Sequence, residues 1–218
     1  MKKKDKLDII YEDKNILVVN KPAHMLTVDT DKGGNITLYN KVYEYLHKKN
    51  QKVFVVHRLD KDTSGIVLFA KNEKLKKELQ DNWNELTKVR EYYTIVEGSV
   101  NKDTDTIKVK LKDNKQLHTY VTNDKDGKEA ITKYEVIKRS KNYTILKVFI
   151  ETGRKNQIRV SMEHIGHPII GDSKYGSSKN PLRRMCLHAS KLVIINPITH
   201  KEMEFISKIP DEFKIFAP

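Results

Sequence analysis

Residues 55–71 read VVHRLDKDTSGIVLFAK, and the fold is decided there. Two apolar runs, 53–56 and 66–70, have the length and composition of buried strands. The segment between them, 57–65 (HRLDKDTSG), is nearly all polar and carries both signs of charge. A tight hairpin needs only about two to five linking residues. A longer link held by two core strands is suited to present functional groups rigidly. Asp60 lies in it between Arg58 and Lys61. Neighbouring cations favour an ionised carboxylate, which can serve as a nucleophile or a general base. The same pattern also describes an aspartate that closes a turn beside an exposed ion pair.

Composition narrows the partner. The 218 residues carry 42 Lys and Arg against 29 Asp and Glu, a net charge of +13. That excess favours a polyanion, with nucleic acid ahead of an acidic membrane surface. The single cysteine, Cys186, excludes an internal disulfide and a cysteine zinc cluster. The opening MKKKDKLD has the charge of a signal peptide but no apolar region follows it. No apolar run approaches the roughly 18 residues of a membrane span. A soluble, cytoplasmic protein is expected.

Along the chain, 8–20 (DIIYEDKNILVVN) reads as a hairpin, and 20–28 (NKPAHMLTV) bends at Pro22 and carries Lys21 and His24. Residues 29–35, with Gly33 and Gly34, read as a mobile loop. Thr37 can cap a helix bearing Leu38, Val42 and Leu46, and Asn72 a second one bearing Leu75, Leu79, Trp83 and Leu86. Strands are expected over 90–98, 106–111, 116–122 and 143–151, and a short capped element in the tail 209–218. In 152–176 (TGRKNQIRVSMEHIGHPIIGDSKYG), Thr152 can cap a helix that carries Ile158, Met162 and Ile165 and closes at Gly166. Its start would gather Arg154, Lys155 and Arg159 into an anchor for a phosphate or a carboxylate. His164 and His167 mark its end; without a third ligand no metal site is expected. Few helices and many strands make the class α+β.

The string HRLDKDTSGI closely resembles the signature loop of the RluA-type pseudouridine synthases, HRLDxxTSG. Three further stretches are similar to that family's motifs in the same order. ILVVNKPAHM has His24 where glycine is usual. REYYTIVEG matches KxYxAxVxG, with Thr94 in the alanine position. The 152–176 stretch matches TGRTHQIRVHLxxIGHPIxGDxxYG, with Lys155-Asn156 for Thr-His and Ser161 for His. CLHASKLVIINPIT resembles the closing LHAxxLxFxHPxT element. The resemblance covers about residues 8–208.

It implies a single catalytic domain, 1–218, without an S4 domain. The expected fold is that of the pseudouridine synthases: a mixed, largely antiparallel sheet with flanking helices and loops around a basic cleft. It also implies isomerisation of specific uridines in large-subunit ribosomal or transfer RNA, with Asp60 as the essential residue. Arg58, Tyr92, Arg159 and Leu187 are implied as substrate-binding: Arg58 to hold a flipped nucleotide, Tyr92 to stack on uracil, Leu187 to line the base pocket. In the family the arginine at the Arg159 position pairs with the catalytic aspartate. Because the atoms are only rearranged, no cofactor is expected, and the chain is expected to act as a monomer. Two other classes stay open on the residues alone: a non-catalytic RNA-binding or assembly protein, and a glycoside hydrolase using Asp60 with Asp62.

Overall fold

The computed structural model describes residues 7–29 and 33–216. Most of the charged opening, 1–6, and the centre of the glycine loop, 30–32, lie outside them. In chain order the elements are β1 (Ile9–Glu12), β2 (Ile16–Lys21), α1 (Leu38–His47), β3 (Phe54–Val55), β4 (Ser64–Ala70), α2 (Glu73–Asp81), α3 (Trp83–Leu86) and β5 (Thr87–Glu97). They continue with β6 (Thr104–Asp113), β7 (Thr119–Thr122), β8 (Lys128–Arg139), β9 (Tyr143–Ile150), α4 (Gln157–His164), β10 (Leu187–Ile195) and β11 (Glu202–Ile206). Short 3-10 turns lie at Ser173–Tyr175 and Asp211–Phe216. The architecture is α+β, as expected. No helix among the described residues is long and apolar enough to cross a membrane.

The described residues group into two compact units. The first runs to Lys88 and includes Ala189–Lys208; the second comprises Val89–His188 and the residues from Ile209 onward. In the first, β2 pairs antiparallel with β1 and with β4, and β4 neighbours β10, which pairs with β11. All seven residues of β4 are buried, which is why its sequence is a continuous apolar run without alternation. Ile16, Val18, Ile66 and Leu68 pack with Leu75 and Leu79 of α2, Leu192 and Ile194 of β10, and Phe205 of β11.

Local chemistry sets the boundaries. Asp13 turns the first hairpin by accepting the Asn15 and Ile16 N–H groups at 2.7 and 2.8 Å. Thr37 and Asn40 form a reciprocal capping box at the start of α1. The expected strand over 53–56 shrinks to the two residues of β3, because Nε2 of His57 takes the Leu68 N–H at 3.0 Å. The single helix expected over 72–86 is two, broken at Asn82 (φ −111°, ψ 23°), whose side-chain amide bonds the Glu78 carbonyl and carboxylate. Strand β11 had no distinct signal: in EMEFI only Phe205 is buried, opposite Leu192.

In the second unit the strand order is β5-β9-β8-β6-β7, every pair antiparallel. Ile95, Val96, Tyr134, Ile145, Leu146 and Val148 pack with Ile158 and Met162 of α4 and with Phe213 and Phe216 of the terminal turn. Helix α4 does not start at Thr152. Its cap is Asn156, in left-handed conformation (φ 52°), with no side-chain capping bond. Thr152 instead accepts the Ile131 N–H and donates to Gln157 Oε1 at 2.8 Å, bridging the turn that leads into the helix. The other end is as expected: α4 stops at His164, Gly166 takes φ +79°, and His167 hydrogen-bonds the Glu97 carbonyl at 2.8 Å.

Two substitutions test this architecture. Gly65 has φ +116°, and a Cβ there would collide with the backbone of Ala189. Neither strand can yield without breaking its ladder, so Gly65→Ala should cost about 2 kcal/mol or more. Thermal or urea unfolding would show it. Glu12 lies at the edge of the first unit. Burial alone would raise its pKa, but hydrogen bonds from Lys71, Tyr45 and Lys49 outweigh that and bring it down to about 2. A depressed folded-state pKa gives stability above the unfolded value, near 4.5, that is lost as the pH falls toward 2. The difference in Tm between wild type and Glu12→Gln should therefore shrink steadily across that window.

Candidate active site

The loop carrying Asp60 is held from both sides by the segment that follows β2. Lys21, the last residue of β2, is fully buried. Its ammonium donates to the carbonyls of Pro22 (3.0 Å), Met25 (2.7 Å) and Lys61 (3.0 Å). Thr27, also buried, donates its hydroxyl to the Leu59 carbonyl at 2.8 Å and accepts the Leu59 N–H at 3.1 Å. The residues on either side of Asp60 are thus both fixed, and a turn from the Thr63 N–H to the Asp60 carbonyl (3.2 Å) closes the loop. Asp60 is half-buried. Arg58 is exposed, and among the described residues no hydrogen bond or ion pair engages its guanidinium.

His24 adds a third link, with Nδ1 2.9 Å from Oδ1 of Asp62. Its φ is +62°, which explains the glycine usual at this position. Histidine is among the few other residues that enter the left-handed region at modest cost.

Tyr92, Arg159 and Leu187 belong to the second unit. Tyr92, on β5 opposite Val148, and Leu187, the first residue of β10, join one apolar cluster. Leu187 is buried, as a core leucine would be. Tyr93 points to the other face of the strand, with its ring 6.2 Å from that of Phe213, and burial raises its phenol pKa. Thr94, in the usual alanine position, is fully buried and donates to the Cys186 carbonyl at 2.8 Å. A buried hydroxyl there is therefore satisfied.

The expected cluster of Arg154, Lys155 and Arg159 at a helix start does not form. All three side chains are used separately. Arg154 Nε donates to the Glu129 carbonyl, and Lys155 pairs with Asp113 at 3.0 Å. Arg159 is buried in a two-point fork with Asp172, Nε to Oδ2 at 2.6 Å and Nη2 to Oδ1 at 2.8 Å. Its Nη1 donates to Oδ1 of Asn156 at 2.7 Å, and its guanidinium lies 4.7 Å from the Tyr175 ring centre. A buried arginine requires such bidentate geometry to offset its desolvation.

The parts played by Lys21 and Thr27 in holding the Asp60 loop, and by Asn156, Asp172 and Tyr175 around Arg159, were not foreseen. The available signals were a lysine ending an apolar strand and an aspartate behind a buried Ile-Ile-Gly. Among the described residues, no three His, Cys, Asp or Glu side chains are placed to share a metal ion.

Comparison with known proteins follows the same stretches. Residues 15–164 match the family described as RNA pseudouridylate synthase. The uncharacterized RNA pseudouridine synthase YlyB of Bacillus subtilis is 35% identical over 212 residues, 94% of this chain and 70% of that protein. The ribosomal large subunit pseudouridine synthase C of Rickettsia bellii is 36% identical over 94% of this chain and 69% of its own. Among solved structures, the human RNA pseudouridylate synthase domain containing 1 superposes with a TM-score of 0.80. It covers 96% of this chain and 85% of that one at 24% identity, a likeness of fold. The chain belongs to the RNA pseudouridylate synthase family, whose members are isomerases acting on RNA.

Proposed function

We propose that this chain converts specific uridines of structured RNA to pseudouridine, with Asp60 as the essential group. The observation that carries this reading is the fixation of Asp60 by its flanks: Thr27 grips Leu59 and the buried Lys21 ammonium grips Lys61. A turn aspartate of no consequence would not need two buried side chains to fix its neighbours. The name of the Rickettsia relative favours large-subunit ribosomal RNA, with transfer RNA as the second candidate. In this reading residues 1–218 work as one catalytic domain, a monomer in the cytoplasm.

The reaction breaks the N1–C1′ bond and forms a C5–C1′ bond. The C5 hydrogen leaves as a proton and N1 gains one, so atoms and electrons balance without a redox cofactor. Asp60 attacks the ribose or takes a proton from it while uracil detaches and turns. The target base is hidden when stacked, so the nucleotide leaves the helix or loop first. Arg58, exposed beside Asp60, holds that flipped state. Tyr92 stacks on the uracil face, Leu187 supplies apolar surface under it, and Arg159 supplies a fixed positive charge toward the substrate.

Forming the new bond must eject the C5 hydrogen, so tritium release from RNA labelled at uridine C5 reads the reaction itself. Release is expected from ribosomal RNA of cells lacking this protein, and none from Asp60→Asn folded to the same Tm. Tight binding of ribosomal and transfer RNA without release from either would instead indicate a non-catalytic RNA-binding protein. The Lys21 clamp has its own test. Lys21→Met keeps the volume but leaves three carbonyls unmet, which should destabilise the first unit by about 2–4 kcal/mol. Below the new Tm, release should still fall by roughly tenfold or more, since a loosened loop misplaces Asp60. Wild-type release from a folded Lys21→Met protein would show that the clamp serves stability alone.

A further inference from the structure

Strands β6 and β7 form an arm of the second unit whose connecting residues, 114–117, are exposed, Leu117 among them at 66%. Nothing in the reaction outlined above uses this arm. Its tip nevertheless reaches the surroundings of Arg159 by two routes. The His118 ring stacks on Tyr175 with centres 4.8 Å apart and planes 29° from parallel. The neighbouring Thr119 N–H donates to the Tyr175 hydroxyl at 3.3 Å. Lys155 donates to Asp113 and to the Leu117 carbonyl (2.8 Å), tying the two ends of the tip to the residue just before Asn156.

Tyr175 itself is buried, at 3% exposure, and reaches Arg159 once directly and once through Asn156. Its ring lies under the guanidinium, and its hydroxyl accepts Nδ2 of Asn156 at 3.0 Å, while Asn156 Oδ1 accepts Arg159 Nη1. Asp172 fixes one edge of the guanidinium, but that fork alone leaves the plane of the group free to tilt about the shared axis. A ring packed against the plane and an amide on the remaining nitrogen remove that freedom. Both depend on Tyr175 staying in place, and His118 and Thr119 hold it there.

We propose that Tyr175 and His118 are positioning residues for Arg159, and that the β6–β7 arm acts as a brace that fixes the plane of this substrate-binding cation. The proposal rests on the role given to Arg159 above. The brace touches no substrate in this account; it acts only through the guanidinium.

The test is single-turnover tritium release from C5-labelled ribosomal RNA, with full-length variants and Tm measured alongside. His118→Ala removes a half-buried ring from an arm whose tip contributes little core. It should lower the maximal rate roughly tenfold, as a displaced catalytic-site group does. The RNA concentration for half-maximal rate should stay within about twofold and Tm should not move, because neither binding surface nor core is lost. Tyr175→Leu should do the same or more, and Tyr175→Phe, which keeps the ring, should recover most of the rate. In an Arg159→Lys background, His118→Ala should add little, because the planar group it steadies is gone.

A slow Arg159→Lys together with wild-type rates for His118→Ala and Tyr175→Leu would overturn the brace and leave Arg159 its role. A full additional loss from His118→Ala in the Arg159→Lys background would also overturn it, by showing that the arm acts elsewhere. Wild-type rates from Arg159→Lys would remove the role of Arg159 and the brace together. Should Tyr175→Leu fail to fold, His118→Ala decides the question.

Discussion

The loop that carries Asp60 depends on a buried charge, the Lys21 ammonium. Taking an ammonium out of water costs several kcal/mol even after relaxation. Hydrogen bonds to a charged group return about 1.5–3 kcal/mol each. Lys21 donates three such bonds, to Pro22, Met25 and Lys61, and their gain is of the same size as the cost. All three acceptors are backbone carbonyls. Through these bonds Lys21 specifies the path of the chain for two segments about forty residues apart. The turn after β2 and the loop before β4 must adopt these shapes together or leave a charge uncompensated.

The pattern of apolar runs was enough to place most strands and both capped helices of the first unit, because a buried strand such as β4 carries an unbroken apolar run from Ile66 to Ala70. What could not be read were the places where one side chain outbid the backbone pattern. His57 supplies an acceptor that ends β3 after two residues, and Asn82 competes with the helix that propensity would continue. Thr152 satisfies every local rule for a cap, yet Gln157 captures its hydroxyl and the helix begins five residues later. The site shows the same division. Asp60 and its neighbours stand out as a polar loop between apolar strands. The groups that hold them are single residues far away in sequence, and a lysine at the end of β2 gives no hint that it will face inward.

The departures from the family's motifs become intelligible once the backbone is known. His24 occupies a left-handed position where glycine is usual and offsets the strain with a contact to Asp62. Asn156 is likewise left-handed, a conformation asparagine tolerates well, and its amide serves Tyr175 and Arg159 at once. Lys155 uses its length to reach Asp113, which a threonine there could not do. Each replacement keeps the backbone shape and changes only the group that satisfies it.

Among the described residues three cations are buried: Lys21 and Lys71 in the first unit and Arg159 in the second, Lys71 being paired with Glu12. Lys21 donates to three backbone carbonyls, one of them in the Asp60 loop. Arg159 is met by the Asp172 carboxylate in a two-point fork that fixes one edge of its guanidinium. A pseudouridine synthase rearranges atoms without adding or removing any. An isomerase cannot draw on a leaving group's stability or a cofactor's energy. Its rate must come from groups held in one geometry while a base detaches, turns and rebonds. A flexible ammonium can pin several backbone carbonyls, whereas a planar guanidinium gripped on an edge and a face keeps one orientation.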